Sequence, residues 1–261
     1  MQEVVNEKPY RFVPPDPGRI WWSLLEQALP WYLSRYCGIE RVELRGVEHL
    51  RESLAAGQGI LLAANHPRPS DPLVLGALSR ELRQPFFTMA SWHLFMNGGW
   101  QAWFIHKLGG FSVFREGIDR AAINAAIDIL VSAERPLLIF PEGAVSRTND
   151  RLSPLLEGTA FIARTAAKRR EKSGLGRVVV HPIAIRYRYH GDVRLAVEPV
   201  LNEIESRLTW TPAPGKPLVE RIAKVGEALL TLKELEYLGH PQTGTLGERL
   251  RQLIDHLLVP L

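Results

Sequence analysis

The sequence predicts an α/β fold: a mixed, mostly parallel sheet covered by helices, with an N-terminal helical segment. Short apolar runs such as "GILLAA" at 59–64 and "PLLIF" at 136–140 are typical of strands that are covered on both faces. Segments with helical spacing, such as 117–134, separate these runs along the chain. Alternation of the two kinds of segment favours a sheet with helices on both of its faces.

The predicted elements follow in order along the chain. The aromatic, amphipathic stretch 19–36 is expected to be helical, with an interruption at Pro30. The alternation in "RVELRG" at 41–46 predicts a short strand, and a helix is expected from Asp71 to Arg83. Further strands are expected at 85–90, 109–114, 136–140, 177–189 and 192–200, and further helices near 98–109, 117–134, 158–170, 217–234 and 245–258.

We divide the chain into an N-terminal helical segment, 1–40, and an α/β domain, 41–261, which includes the C-terminal helices. Pro182 interrupts the long strand expected at 177–189. Because proline lacks the N–H group that a central strand needs, this strand is expected at an edge or a bend of the sheet.

Composition and charge narrow the class of protein. The chain has 261 residues, a formal net charge of +4 and a single cysteine, Cys37. One cysteine excludes a disulfide framework and a cysteine-based zinc site, which fits a reducing compartment. The positive balance favours anionic partners, and we find no nucleic-acid motif. Since we find neither a signal peptide nor an apolar run of about 18 residues, we expect a soluble or surface-bound protein.

Polar side chains follow three of the predicted strands. "NHPRPSD" follows the strand at 59–64, an arginine follows "GGFSVF", and "PEGAVSR" follows "PLLIF". Ligands of parallel α/β sheets gather where strands end and helices begin, so the three strand ends together predict one functional site. The candidate residues in these segments are Asn65, His66, Asp71, Arg115, Glu142, Gly143, Ser146 and Arg147.

His66 and Asp71 suit general-base chemistry. Histidine is the side chain best able to remove a proton near neutral pH, and a carboxylate on its other nitrogen fixes the tautomer. No GxSxG nucleophile elbow accompanies the pair, so the expected nucleophile is a hydroxyl of the substrate. Arg115 and Arg147 would hold an anion, because guanidinium groups match phosphate oxygens bidentately. The structural alternative is that Asp71 caps the helix that follows it, with Pro72 at the first helical position.

Four segments resemble the motifs of the glycerolipid acyltransferases, the family typified by 1-acyl-glycerol-3-phosphate acyltransferases. "NHPRPSD" resembles the family's NHx4D signature, "GGFSVFR" its second motif and "FPEGAVSR" its third, usually FPEGTRS. "VVVHPIAI" is similar to the fourth motif, an apolar strand around a proline. All four occur in the family's order, between about Val42 and Val200.

The resemblance implies transfer of a fatty acyl chain from acyl-CoA or acyl-carrier protein to the hydroxyl of a lysophospholipid. The expected acceptor is 1-acyl-glycerol-3-phosphate, and the expected product is phosphatidic acid. The resemblance makes His66 the general base and Asp71 its orienting partner, and it implies neither a metal nor an organic cofactor. The residues that it assigns to substrate binding are Asn65, Arg115, Glu142, Gly143, Ser146 and Arg147.

Two departures from the family pattern leave the acceptor open. Val145 stands where the third motif has arginine, with Arg147 two positions later. Ser91 and Trp92 stand where many members carry a lysine. Alternative acceptors are glycerol-3-phosphate, another lysophospholipid or an amino lipid. A non-catalytic protein of the same fold that binds lipid or an acyl carrier is the alternative from another functional class.

Tryptophans indicate where such a protein would act. Six of them lie in the N-terminal helical stretch or around the middle helix: Trp21, Trp22, Trp31, Trp92, Trp100 and Trp103. Aromatic anchors with a net positive charge suit docking on a membrane surface. We therefore expect a cytoplasmic protein that is peripheral on the inner face of the membrane. The alternative is that these tryptophans pack on the sheet or line an acyl pocket.

Overall fold

A parallel sheet forms the centre of the fold. The computed structural model describes residues 9–96, 99–208 and 215–258, so residues 1–8 of the N-terminal stretch that enters the signal-peptide prediction lie outside the described residues. The strands are β1 (Gly59–Ala64), β2 (Phe87–Ser91), β3 (Gly110–Val113), β4 (Leu137–Ile139) and β5 (Val178–Ile183). Their order in the sheet is β3-β2-β4-β1-β5, and every pairing among these strands is parallel, which confirms the predicted α/β class.

Helices precede, separate and follow the strands along the chain. They are α1 (Ile20–Cys37), α2 (Val47–Ala55), α3 (Asp71–Leu82), α4 (His93–Met96), α5 (Gly99–Lys107), α6 (Arg120–Ser132), α7 (Glu157–Lys172), α8 (Val193–Arg207), α9 (Leu218–Leu238) and α10 (Leu246–Leu257). The chain forms two compact units: the first ends at Tyr187 and contains the sheet with α1–α7, and the second begins at Arg188 and contains α8–α10. The boundary predicted at residue 40 stays a prediction.

β1 is buried on both faces because successive side chains of a strand point to opposite sides of the sheet. Leu61 belongs to one core cluster with Leu130 of α6, and Leu62 belongs to another with Leu75 of α3. Both β1 leucines are completely buried. Burial of a leucine contributes roughly 2 kcal/mol of transfer free energy, so this double-sided packing holds β1 firmly in the sheet, between β4 and β5.

Two segments predicted as strands are not strands. Residues 41–46 are irregular, and their alternation reflects Leu44, which packs beside Leu50 in the core without pairing to a strand. Residues 193–200 of the segment predicted at 192–200 belong to α8. Asp192 caps that helix, because its Oδ1 accepts hydrogen bonds from the backbone N–H groups of Arg194 and Leu195.

Of the two predictions made from prolines, the structure agrees with the one at Pro182 and differs from the one at Pro30. β5 lies at an edge of the sheet, as Pro182 predicts, but it ends at Ile183 rather than at 189. α1 continues through Pro30, where an interruption was expected. α1 packs closely on α3 beside this proline: a Cβ at Gly76 of α3 would lie 2.9 Å from the Leu29 side chain.

Candidate active site

The first and third predicted motifs meet at the backbone of His66. β1 and β4 are neighbours, so the residues that follow them lie side by side at the carboxyl edge of the sheet. The backbone N–H of His66 donates a hydrogen bond to Glu142 Oε1 over 2.7 Å. The backbone N–H of Ser146 donates to the His66 carbonyl over 2.8 Å. The turn after β4 therefore fixes the backbone that carries His66.

His66 and Asp71 form the predicted pair. His66 Nδ1 lies 2.7 Å from Asp71 Oδ2. An ionised carboxylate only accepts hydrogen bonds, so Nδ1 carries the hydrogen and the lone pair is on Nε2. Nε2 makes no hydrogen bond with any described residue, and the His66 side chain is 16% exposed. The ring stacks on Phe140, with centroids 4.1 Å apart. The arrangement leaves a fixed imidazole with one nitrogen available as a base.

Asp71 is completely buried and has a partner for each oxygen. Oδ2 accepts from His66 and from the backbone N–H of Arg68 over 2.8 Å, and Oδ1 accepts from the Tyr187 hydroxyl over 2.5 Å. The position before it, Ser70, is the N-cap of α3, so the helix-capping role considered for Asp71 is wrong. Its place in the first turn still favours a negative charge, because the N-terminal end of a helix dipole is positive.

Glu142 is bound by backbone groups on both oxygens. Oε1 accepts from His66, and Oε2 accepts from the backbone N–H of Ser153 over 3.0 Å. Burial raises the pKa of Glu142, but the hydrogen bonds from His66 and Ser153 outweigh it, and the pKa lies below its ordinary value of 4.5. This carboxylate shapes the turn that holds His66, and its predicted contact with substrate stays a prediction.

Arg115 joins the second motif to the third. Arg115 Nη1 donates a hydrogen bond to the carbonyl oxygen of Gly143. Since β2 lies between β3 and β4, this bond links the loops that follow two strands about 10 Å apart in the sheet. Gly143 has a φ of 69°, and a Cβ there would lie 2.5 Å from Leu156 Cδ1, so only glycine fits this turn without strain.

The other predicted substrate-binding residues differ in their surroundings. Arg147 is exposed, has a φ of 55°, and makes no hydrogen bond or ion pair with the described residues. The Ser146 hydroxyl lies 3.3 Å from the carbonyl oxygen of His66. Asn65 exchanges two hydrogen bonds with the backbone of Ile185, at 3.0 and 2.6 Å. Its amide therefore extends the pairing of β1 with the chain after β5, and its role toward substrate stays a prediction.

Sequence reasoning missed three residues around the pair. Tyr187 contacts Asp71, Asn149 binds the backbone of Tyr187, and the guanidinium carbon of Arg68 lies 4.8 Å from the centre of the Tyr187 ring. Arg68 lies within the first motif itself. The one signal for Tyr187 is the alternation "IRYRY" after the fourth motif, and that alternation predicts a continuing strand.

A separate cleft of about 960 Å³ lies between α1 and α3. Its lining includes Trp22 and Leu33 of α1 and a segment of α3 that begins at Ala77. At 1.5 Å per residue, that segment begins about 9 Å along α3 from Asp71, so the cleft is distinct from the His–Asp pair. Within 9–96, 99–208 and 215–258, no group of three or more His, Cys, Asp or Glu side chains could hold a metal ion.

A His–Asp pair at the carboxyl edge of a parallel sheet defines an α/β protein equipped for general-base chemistry. The chain belongs to the Acyltransferase family, whose model matches residues 41–186. This match confirms the predicted family resemblance.

Two relatives are similar over parts of the chain. A lyso-ornithine lipid O-acyltransferase from Pseudomonas aeruginosa is 29% identical over 175 residues, which are 67% of this chain and 59% of that protein. A 1-acyl-sn-glycerol-3-phosphate acyltransferase from Streptococcus pneumoniae is 30% identical over 112 residues, 43% of this chain and 39% of that protein. The matched region thus spans less than two thirds of either relative. No solved structure matches the chain significantly.

Proposed function

We propose that this protein is an O-acyltransferase that moves a fatty acyl chain from acyl-CoA or acyl-carrier protein to the hydroxyl of a lysophospholipid. The observation that carries the proposal is the His66–Asp71 pair, in which Nδ1 faces a buried carboxylate and Nε2 remains available. Family membership and the names of the two relatives support the same class of reaction.

The proposed step needs only the two substrates and this pair. His66 Nε2 takes the proton of the acceptor hydroxyl while the hydroxyl oxygen bonds to the carbonyl carbon of the thioester. Asp71 stabilises the imidazolium that forms. The carbon–sulfur bond then breaks, and the proton on Nε2 passes to the leaving thiolate. The products are an ester and a free thiol.

Arg115 is proposed to hold the headgroup of the acceptor. One N–H of its guanidinium is used by the Gly143 carbonyl, and the rest of the fork remains for an anion. Arg147 lies on the turn beside His66 and would add a second cation. This pair of cations suits 1-acyl-glycerol-3-phosphate as acceptor, with phosphatidic acid as product.

An amino lipid is the second candidate acceptor, because a carboxylate lies beside Arg115. Glu116 Oε2 accepts from the backbone N–H of Arg115 over 3.1 Å and from Trp92 Nε1 over 3.0 Å. Glu116 Oε1 lies 3.7 Å from His93 Nε2, and the side chain is 38% exposed. This negative charge suits a headgroup that carries an amine, and the longer of the two matches is to the lyso-ornithine lipid enzyme.

The experiment that tests the function is a panel of acceptors with one acyl-CoA and one acyl-carrier protein, with products read by mass spectrometry. The panel contains 1-acyl-glycerol-3-phosphate, glycerol-3-phosphate, other lysophospholipids and lyso-ornithine lipid. We expect one ester product of the added acyl mass, with 1-acyl-glycerol-3-phosphate preferred. A preference for lyso-ornithine lipid would support the second candidate, and no acylated product with any acceptor would refute the enzyme.

We also propose that the protein docks on the inner face of the membrane. Four tryptophans, here called the aromatic patch, are 38–71% exposed on α1 and α5: Trp21, Trp31, Trp100 and Trp103. Trp21 and Trp103 touch, with ring centroids 4.7 Å apart, so the two helices share one aromatic surface. No helix within the described part of the chain has the length and apolar character needed to cross a bilayer.

The other two tryptophans point into the protein. Trp22 donates a hydrogen bond to the buried hydroxyl of Ser79 over 2.8 Å, and Trp92 is only 5% exposed. Trp22 therefore has a partner inside the protein, and its part in a surface anchor stays a prediction. The six tryptophans divide between the two predicted roles, exposed patch and internal packing.

A further inference from the structure

Tyr187 lies one hydrogen bond beyond the His66–Asp71 pair. Its hydroxyl donates to Asp71 Oδ1 over 2.5 Å, on the side of the carboxylate opposite to His66. Burial, together with the hydrogen bond to Asp71, raises the pKa of Tyr187 well above its ordinary value of 10.0. The hydroxyl therefore keeps its hydrogen at any pH at which the protein would work.

Asn149 holds Tyr187 in place where the sheet has ended. The backbone N–H of Tyr187 donates to Asn149 Oδ1 over 2.7 Å, and Asn149 Nδ2 donates to the Tyr187 carbonyl over 2.5 Å. Asn65 binds the backbone of Ile185 in the same way. Two amide side chains thus replace strand partners beyond Ile183, and they fix the segment from which the Tyr187 hydroxyl reaches Asp71.

We infer that Tyr187 is a positioning residue that acts on His66 through Asp71; the inference rests on the proposed function. The Arg68 N–H and the His66 ring both bind Oδ2, so without the hydroxyl Oδ1 would be a buried charged oxygen with no donor. An oxygen without a donor is costly, and without the hydroxyl the carboxylate is held less firmly in the orientation that aligns the His66 ring. The hydrogen bond from the hydroxyl also disperses part of the negative charge of Asp71, and this weakens the attraction between the carboxylate and the imidazolium.

Tyr187→Phe tests this inference because it removes only the hydroxyl and keeps the ring under Arg68. The matched control is Tyr10→Phe. Tyr10 donates to Asp119 Oδ2 over 2.5 Å, and burial together with that bond raises its pKa to about 12, but Asp119 caps α6 and does not contact His66. Each variant therefore loses a hydrogen bond from a tyrosine hydroxyl to an aspartate, but only Tyr187→Phe loses it at the His66–Asp71 pair.

Two readouts separate positioning from stability. Tyr187→Phe is expected to lower kcat roughly tenfold with little change in the acyl-donor KM. NMR titration of the His66 imidazole without substrate is expected to show a higher midpoint in Tyr187→Phe than in wild type, because the hydroxyl no longer shares the charge of Asp71, and the same midpoint as wild type in Tyr10→Phe. The charged or titratable side chains around the pair are Arg68 on the same turn, Glu142 after β4 and Tyr187 itself, and the variant changes only the last.

Asn149→Ala provides a second test if Tyr187→Phe fails to fold. It keeps the hydroxyl but frees the backbone of Tyr187, so a smaller upward shift of the His66 midpoint is expected. An unchanged midpoint and an unchanged kcat in both folded variants would overturn the inference and leave Tyr187 as packing. If the wild type transfers no acyl chain while the midpoint still shifts, the proposed reaction fails but the coupling of Tyr187 to His66 stands.

Discussion

The carboxylate of Glu142 accepts a hydrogen bond from the backbone N–H of His66 over 2.7 Å. The two residues follow neighbouring strands, β4 and β1, and are separated by 76 positions in the chain. Since Ser153 binds the other oxygen of the same carboxylate, Glu142 connects the base to the loop before α7.

Replacing Glu142 with glutamine is expected to loosen this connection. An amide nitrogen cannot accept, so either the His66 or the Ser153 N–H loses its partner, at a cost of about 1–3 kcal/mol in the free energy of unfolding. Urea denaturation measures this change. Glu157→Gln is the control, because Glu157 is exposed at the start of α7. Equal effects of the two variants would contradict the role given to Glu142.

The contribution of Glu142 is expected to depend on pH. Burial raises its pKa, the hydrogen bonds from His66 and Ser153 lower it by more, and the folded-state value is below 4.5. A depressed folded-state pKa gives stability that is present above the unfolded-state value and lost as the pH falls through the folded-state value. The difference in unfolding free energy between wild type and Glu142→Gln should therefore narrow below about pH 4.5. A difference that stays constant down to strongly acidic pH would argue against a charged interaction.

Arg115→Lys is expected to weaken use of the acceptor. Lysine replaces a bidentate fork with a point charge and cannot hold both the Gly143 carbonyl and a headgroup, so the acceptor KM should rise about tenfold. The acyl-donor KM should change little in the same steady-state assay. An effect confined to the donor would move Arg115 to the thioester side of the site.

Arg147 allows its backbone and its side chain to be tested separately. Its φ of 55° favours glycine, so Arg147→Gly should be more stable than Arg147→Ala by up to about 1 kcal/mol. If the guanidinium binds the acceptor, both variants should lose acceptor affinity equally. Retained affinity in the glycine variant would show that only the backbone of this turn matters.

Membrane docking is expected to require the aromatic patch. Changing Trp21, Trp31 and Trp100 together to alanine should reduce co-sedimentation with lipid vesicles, whereas Trp22→Phe should not, because Trp22 faces Ser79. The electrostatic part of binding should appear with anionic vesicles and weaken in about 1 M salt, where the Debye screening length is about 3 Å. Wild type that stays in the supernatant with anionic vesicles at low salt would exclude surface docking.

The site could be predicted as far as it depends on strand ends. His66, Arg115 and Glu142 follow parallel strands, and parallel strands present their ends at one edge. Which group each side chain binds could not be predicted, because the partners are remote backbone atoms: Asn65 binds Ile185, 120 positions away. Tyr187 was missed because an alternating pattern does not show where a strand stops pairing.

The errors in the fold have a similar origin. Residues 41–46 alternate because Leu44 is partly buried against a core cluster, and alternation of this kind does not require a strand partner. The segment 192–200 is apolar enough for a strand, but the Asp192 cap and the helical packing that follows decide for α8. Local pattern predicts which side chains are buried more reliably than it predicts the partner they are buried against.

The most direct test of the account is release of free thiol from acyl-CoA or acyl-carrier protein in the presence of a lysophospholipid, compared between wild type and His66→Ala. Loss of the base should lower the rate by about 10²- to 10⁴-fold while the fold is retained. His181→Ala is the matched control: His181 also binds a neighbouring side chain, the Ser53 hydroxyl at 2.9 Å, but lies apart from Asp71, so acceptor-dependent release should persist. Release by folded His66→Ala at the wild-type rate would contradict the central claim that His66 is the base.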